Sequence, residues 1–405
     1  MFSCRTDWKL TPNRFALAQQ EARRTGGRIF DLTISNPTRA GIEYDEPAIL
    51  NALRNPRSLD YDPQSKGLCI AREAVAEYYS YGDGPRLHHA LRFSNGGRNL
   101  DEERIDPESL LLTTSTSEAY SHVFRLLANP GDEVLAPKPS YPLFDFLADL
   151  QDVKLVPYPL IYDHGWQIDW PSLEQAVSSR TRAIILVHPN NPTGSYVSPA
   201  ERARLNELCS ERELALIVDE VFLDYAHDGK LRPSFATNRG ALTFTLSGLS
   251  KISALPQMKL AWIAVSGPES HAHVAIERLD VIADTYLSLN TPVQLAAGVM
   301  LEQRKTIHPQ LMEKLRMNLA ELDGQLSRQL SCARLEVEGG WYAVVHVPAT
   351  RSDEDLAIAL LRQCSVLVHP GHFYDFPRDG YLVLSLITPP ADFREGISRL
   401  LEFLN

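Results

Sequence analysis

Apolar residues in this chain fall mostly into short, unbroken, strand-length runs. Ser109–Thr113, Arg182–Val187, Leu214–Val218, Ala241–Leu246 and Leu260–Val265 are each bounded by polar or turn residues. Such runs predict strands covered on both faces. Glu133–Ala136 and the segment around Lys154–Val156 add two more. Helical spacing of apolar positions separates many of them, at Leu68–Tyr79, from Thr114–Glu118 on to Leu127, and at Pro199–Glu211. Strands alternating with helices predict a mainly parallel α/β sheet sandwiched by helices, with functional groups gathered at strand ends.

The two ends of the chain read differently. A polar helix, Pro12–Arg24, closes at Gly26-Gly27, and a short strand, Ile29–Ile34, runs into the turn Ser35-Asn-Pro-Thr38. A helical tract from Pro292 to about Leu330 breaks near His308-Pro309. After it come predicted strands at Leu335–Val337, Trp341–Val347 and Tyr381–Leu386, with helices at Asp353–Cys364 and Asp392–Phe403. The pattern predicts an N-terminal arm and part of a smaller domain in 1–45, a large domain in 46–290, and a small α+β domain in 291–405.

Composition narrows the function classes. The 405 residues carry a net charge of −11, which argues against a nucleic-acid partner. Five scattered cysteines without a CxxC pair suggest neither a zinc site nor a disulfide framework, so no metal is expected and a cytoplasmic setting fits. Met1–Leu10 has no apolar signal core, and no window reaches membrane-spanning length, so no membrane partner is expected.

The candidate chemistry centres on Ser247-Gly-Leu-Ser-Lys251, a small-residue turn between two core strands. An amine placed there is desolvated, loses its proton more readily and becomes nucleophilic. Other strand ends carry complementary groups. Thr114–Ser117 brings hydroxyls and N–H groups to a helix start, which suits a phosphate and equally suits a plain N-cap. Asp219 ends an apolar run and needs a cationic partner if buried. Asn191-Pro-Thr-Gly194 comes straight off a core strand, and Tyr141 follows another. His188 beside that turn reads as a packed core-edge residue, and Trp341-Tyr342 as packing in a small-domain strand. A lysine, a buried carboxylate, an amide, an aromatic ring and a phosphate cradle are what pyridoxal 5'-phosphate (PLP) requires.

In this order and at these separations, Thr-Ser-Glu-Ala, Tyr-Pro, Asn-Pro-Thr-Gly, Asp-Glu-Val and Ser-x-x-Ser-Lys resemble the class I/II aminotransferases of PLP fold type I. The resemblance runs from Asp31-Leu32 to the C-terminal helix. It implies a seven-stranded-type, mainly parallel large-domain sheet and a smaller α+β domain built from both chain ends. It implies that Lys251 forms the internal aldimine and shuttles the proton. Asp219 would pair with the ring nitrogen, Asn191 would donate to the phenolic oxygen, and Tyr141 would stack on the ring. Thr116, Ser117 and Lys259 would hold the phosphate, and Tyr61 would reach the phosphate of a neighbouring subunit in a homodimer. The implied reaction is amino-group transfer between an amino acid or amine and a 2-oxo acid. A PLP lyase of the same fold, or a PLP-binding protein without turnover, are the alternatives.

The chain departs from the family at four positions. Lys259 replaces the phosphate arginine, Gly248 stands where many relatives have serine (with Ser247 or Ser250 as substitutes), and Phe222 replaces a tyrosine that donates to the phenolic oxygen. In Tyr381-Leu-Val-Leu-Ser385, Val383 occupies the place of the arginine that grips the substrate carboxylate. His372 and then Arg378 are the candidate replacements, with Ser35 and Asn36 on the N-terminal side of the same edge.

Overall fold

The computed structural model describes residues 1–80, 104–287 and 289–404. The first strand, β1 (Phe30–Asp31), pairs in parallel with a strand near the other end of the chain. Strands β2 (Leu110–Thr113), β3 (Glu133–Lys138), β4 (Lys154–Tyr162), β5 (Trp166–Ile168), β6 (Thr181–Val187), β7 (Ala215–Asp219), β8 (Thr243–Gly248) and β9 (Ala261–Ser266) form the main sheet. Its order is β2-β9-β8-β7-β6-β3-β4-β5. The pairs β8·β7, β7·β6, β6·β3 and β3·β4 are parallel, whereas β9 runs antiparallel to both its neighbours. Strands β6 to β9 are almost wholly buried, as their unbroken apolar runs require.

The sheet has eight strands where seven were expected. The extra one, β5, is a short hairpin partner of β4 at the sheet edge. At three residues it is too brief to show a period of its own.

Strands β10 (Ala333–Arg334), β11 (Tyr342–His346), β12 (Val366–Leu367), β13 (His369–Pro370) and β14 (Tyr381–Ser385) complete the set. A four-stranded sheet has the order β10-β11-β14-β13, and β12 is the partner of β1. Phe15, Ala18, Phe30 and Leu32 from the N-terminal segment share one core with Leu356, Val366, Val383 and Phe393. Both chain ends thus contribute to the core of the smaller unit.

Several boundaries differ from the sequence pattern. The strand expected at Ile29–Ile34 shortens to two residues, because Asp31 turns its carboxylate onto the amide and hydroxyl of Thr33. The predicted strand at Leu335–Val337 is displaced to Ala333–Arg334. The helical tract breaks near residues 296 and 303 and not at Pro309, which lies inside the helix Arg304–Leu326. Near a helix start a proline removes a single backbone hydrogen bond, and burial of Ile307, Leu311 and Leu315 along one stripe holds the helix together. The helix predicted over Asp353–Cys364 is α-helical to Ala359 and finishes as a π-helical turn.

Candidate active site

Lys251 follows the C-terminal end of β8, beside Asp219 at the end of β7 and Trp341 at the entry to β11, and the helix Thr116–Leu127 reaches Asp219 through Tyr120. This lysine lies in the helical turn Leu249–Ile252 that follows β8 directly. Its carbonyl accepts from the Tyr225 hydroxyl at 2.6 Å, which fixes the turn. Its amine sits 4.7 Å from the centroid of the Trp341 ring and 5.4 Å from that of Phe222. Aromatic faces favour an ammonium, yet desolvation wins, and burial pushes the amine down to about 8 while Asp219 pulls the other way.

Asp219 is buried at the end of β7. Instead of the expected ion pair it accepts from the Val221 amide at 3.1 Å and the Tyr120 hydroxyl at 3.2 Å, with Lys251 acting at longer range. Burial raises its carboxyl to about 6 against those three influences.

The two asparagines of the Asn190-Asn191 pair divide their work. Asn190 accepts from Ser140 and donates to the Pro139 carbonyl and the Thr193 hydroxyl, tying the loop that carries Tyr141 to the turn. Asn191 is left with a buried side-chain oxygen that has no partner. Gly194 holds the turn at φ +72°, and a Cβ there would meet Val337 at 2.3 Å and the Gly339 carbonyl at 2.5 Å.

Ser115, and not its two successors, caps the helix Thr116–Leu127 by accepting from the Glu118 amide. Thr116 and Ser117 are therefore the first helical residues, half-buried, with their N–H groups at the positive end of the helix. Lys259 is exposed and takes a left-handed backbone at φ 55° before β9. Tyr141 meets Phe144 edge-on at 5.8 Å and feels the charge of Asp219. Tyr61 is exposed. Ser247 is buried with its hydroxyl turned to the Glu220 carbonyl, and Ser250 is half-buried. A serine in place of Gly248 would put its Cβ 2.8 Å from that of Ala261.

Val383 is buried and lies opposite Val344 and His369 across the four-stranded sheet. His369 bonds the Tyr374 hydroxyl at 3.0 Å, and burial pushes its ring down to about 4, so it is neutral near pH 7. The residues expected to replace the arginine have other surroundings. His372 is exposed against Phe373, and Arg378 is exposed and donates to the Tyr381 hydroxyl. Ser35 is exposed, and Asn36 caps a short turn through Thr38.

Sequence reasoning missed Tyr120, Tyr225 and the place of Trp341 beside the amine. Tyr120 carried a usable signal, since it lies one helical turn beyond Thr116 and so on the same face. The PLP-binding groups fit this geometry: an amine with lowered proton affinity, a buried carboxylate free of any ion pair, an unspent amide and unspent helix N–H groups. Among the described residues no cluster of histidine, cysteine, aspartate or glutamate could hold a metal ion, and no helix is long and apolar enough to cross a membrane.

The family model for aminotransferase class I and II matches residues 61–400. The chain is 28% identical over 393 residues to the glutamate-pyruvate aminotransferase AlaA of Haemophilus influenzae, covering 94% of this chain and 91% of that protein. It is also 28% identical over 394 residues to an alanine aminotransferase of Mycobacterium tuberculosis, covering 94% and 86%. Among solved structures, the alanine aminotransferase of Pyrococcus furiosus superposes with a TM-score of 0.85 at 23% identity, over 100% of this chain and 99% of that one.

Proposed function

Given that this chain belongs to the class I and II aminotransferases, whose members use PLP, we propose that it moves an amino group from an amino acid or amine to a 2-oxo acid through Lys251. The observation that carries the reading is the Lys251 amine, lowered to about 8 and set between Phe222 and Trp341 with Asp219 nearby. Bound PLP supplies the aldehyde that receives the amino group and a protonated ring that draws electrons from the substrate's α-carbon. Lys251 would hold the aldehyde through its Nζ, and its amine, when free, would take and return the proton at the substrate's α-carbon. Asp219, oriented by Tyr120 and the Val221 amide, keeps the proton on the ring nitrogen. Asn191 would donate to the phenolic oxygen, and Tyr141 would stack on the ring. Thr116, Ser117 and Lys259 would hold the phosphate, and Tyr61 of a second copy of the chain would complete that contact in a homodimer.

The substrate end is atypical. Val383 offers no charge, and its cross-strand neighbour His369 is neutral near pH 7. The amino donor is therefore gripped by groups other than a guanidinium at position 383, or it carries no α-carboxylate. The test is absorbance spectroscopy of the PLP-loaded protein against a panel of α-amino acids and primary amines. Loss of the aldehyde band with a donor, and its return on adding a 2-oxo acid, is expected. Consumption of the donor with the aldehyde band retained identifies an elimination enzyme, which restores its aldehyde each turn, and an unchanged spectrum with no donor consumed identifies a binding protein.

A further inference from the structure

The Lys251 amine faces a box of rings. Trp341 and Phe222 form two of its walls, and Phe222 in turn meets Tyr342 with ring centroids 6.4 Å apart. Tyr342 opens β11 and shares one face of the four-stranded sheet with Val344, Val383 and His369, which are paired across the strands. His369 bonds the Tyr374 hydroxyl, and the Tyr374 carbonyl accepts from the Ser140 amide at 2.9 Å, next to Tyr141. The box thus takes Tyr141 from a loop of the main sheet, and Tyr342 and Tyr374 from the smaller unit.

Among the described residues no cation besides Lys251 acts on this box. Asp219 answers to Lys251 alone, and Tyr141 to burial and Asp219. Burial and neighbouring phenols raise Tyr342 and Tyr374, and no arginine or lysine opposes them. Where a guanidinium does line a buried ring in this protein it is felt, as Arg232 is by both Tyr196 and His188. The cations closest in sequence are spent elsewhere. Arg378 donates to the Tyr381 hydroxyl, two residues along β14 from Val383, and Lys138 is held by Asp375 and, at 3.9 Å, by Asp145.

A carboxylate carried into the box gives up its water and meets phenols, an amide and a neutral imidazole, with no countercharge. Burying an unpaired charge is costly, whereas an apolar body gains by leaving water.

We propose that the amino donor is a primary amine with an apolar, ring-bearing body and no carboxylate on its amino carbon. This rests on the transfer reading above and names its donor class. In the exchange the donor's carbon–nitrogen bond breaks and a carbon–oxygen double bond forms, so the donor leaves as an aldehyde or ketone. Its nitrogen stays on the carbon that was the cofactor's aldehyde, and Lys251 carries the proton from the first carbon to the second. Water released when donor and cofactor join is taken up when they part. The donor carbon is oxidised as the cofactor carbon is reduced, and no further oxidant is needed.

The experiment compares 2-phenylethylamine with L-phenylalanine, which differ only by the carboxylate, as donors to the PLP-loaded protein followed by absorbance. The amine should half-saturate at a concentration at least ~10-fold lower. Titration calorimetry with two unreactive analogues, 3-phenylpropanamide and 3-phenylpropionate, reads the same site without turnover, and the amide should bind at least ~10-fold tighter. Val383→Arg, which sets a guanidinium on that sheet face, should narrow both preferences; unchanged preferences in the folded variant overturn the proposal. If the variant does not fold, the two comparisons on the unaltered protein decide it. Equal or better use of phenylalanine overturns the donor class and leaves the transfer reading standing. No spectral change with either donor overturns the transfer reading, and calorimetry then decides the box by itself: equal or tighter binding of the anion, or no binding of the amide, overturns the donor class as well.

Discussion

Asp219→Asn should stabilise the PLP-free protein and destabilise the loaded one. Burial holds the Asp219 carboxyl at about 6 against a usual 3.8. At ~1.4 kcal/mol per pH unit, the ionised side chain costs the PLP-free fold about 3 kcal/mol. The sign follows from linkage: the folded value lies above the unfolded one, so the cost is present in full above about pH 6 and vanishes below 3.8. Asparagine has the same shape and still accepts from the Val221 amide and the Tyr120 hydroxyl, so little is lost in exchange. With an unfolding entropy of about 2 cal/mol/K per residue, the PLP-free variant should melt ~3–4 °C higher at pH 8. With PLP bound the order should reverse, because a charge on the ring nitrogen then loses its buried partner, a loss of about 3–5 kcal/mol. Thermal denaturation of both proteins, with and without PLP, from pH 4.5 to 8, reads all of this. If the PLP-free variant gains nothing at pH 8, or its advantage does not shrink toward pH 4.5, the burial argument is wrong.

Lys251→Ala should abolish both transfer and the borohydride-reducible attachment of PLP; a covalent adduct surviving on mass spectrometry would point to another lysine. Gly248→Ser should cost about 1–3 kcal/mol in a urea titration, because its Cβ lies 2.8 Å from the Ala261 Cβ on the paired strand and 3.0 Å from the Leu260 carbonyl just before it. A neutral result would show that β8 and β9 can shift apart. Phe222→Tyr should move the pH titration of the loaded protein's absorbance downward, since a hydroxyl there can donate to the cofactor; an unmoved midpoint would place that hydroxyl away from it. Trp341→Ala removes a fully buried ring and should cost about 3–5 kcal/mol, and it should also change the pH dependence of PLP attachment by stripping an aromatic wall from the Lys251 amine.

Much of this molecule is written locally along the chain. Unbroken apolar runs marked β6 to β9; Asp219 ends the run of β7, and Asn191 and Lys251 lie in the turns after β6 and β8, at the same ends of these parallel strands. That was legible because a buried parallel strand must be apolar throughout, so its first polar residue marks its end. Local pattern has no equivalent for contacts across the fold. The bond from Tyr120 to Asp219 and the place of Trp341 beside Lys251 join residues far apart in sequence; packing of a helix on the main sheet decides the first, and packing of the smaller unit against that sheet the second. The same holds for the division of labour between Asn190 and Asn191, which are identical side chains in sequence. It holds also for Val383, whose neighbours are set by the register of β14 against β11 and β13. The sequence by itself determined the seven long strands of the main sheet and the polar turns that follow them, because those follow from backbone period and burial. The tertiary structure alone decided which of those groups meet, because distance between strand ends depends on how the sheet and its covering helices pack.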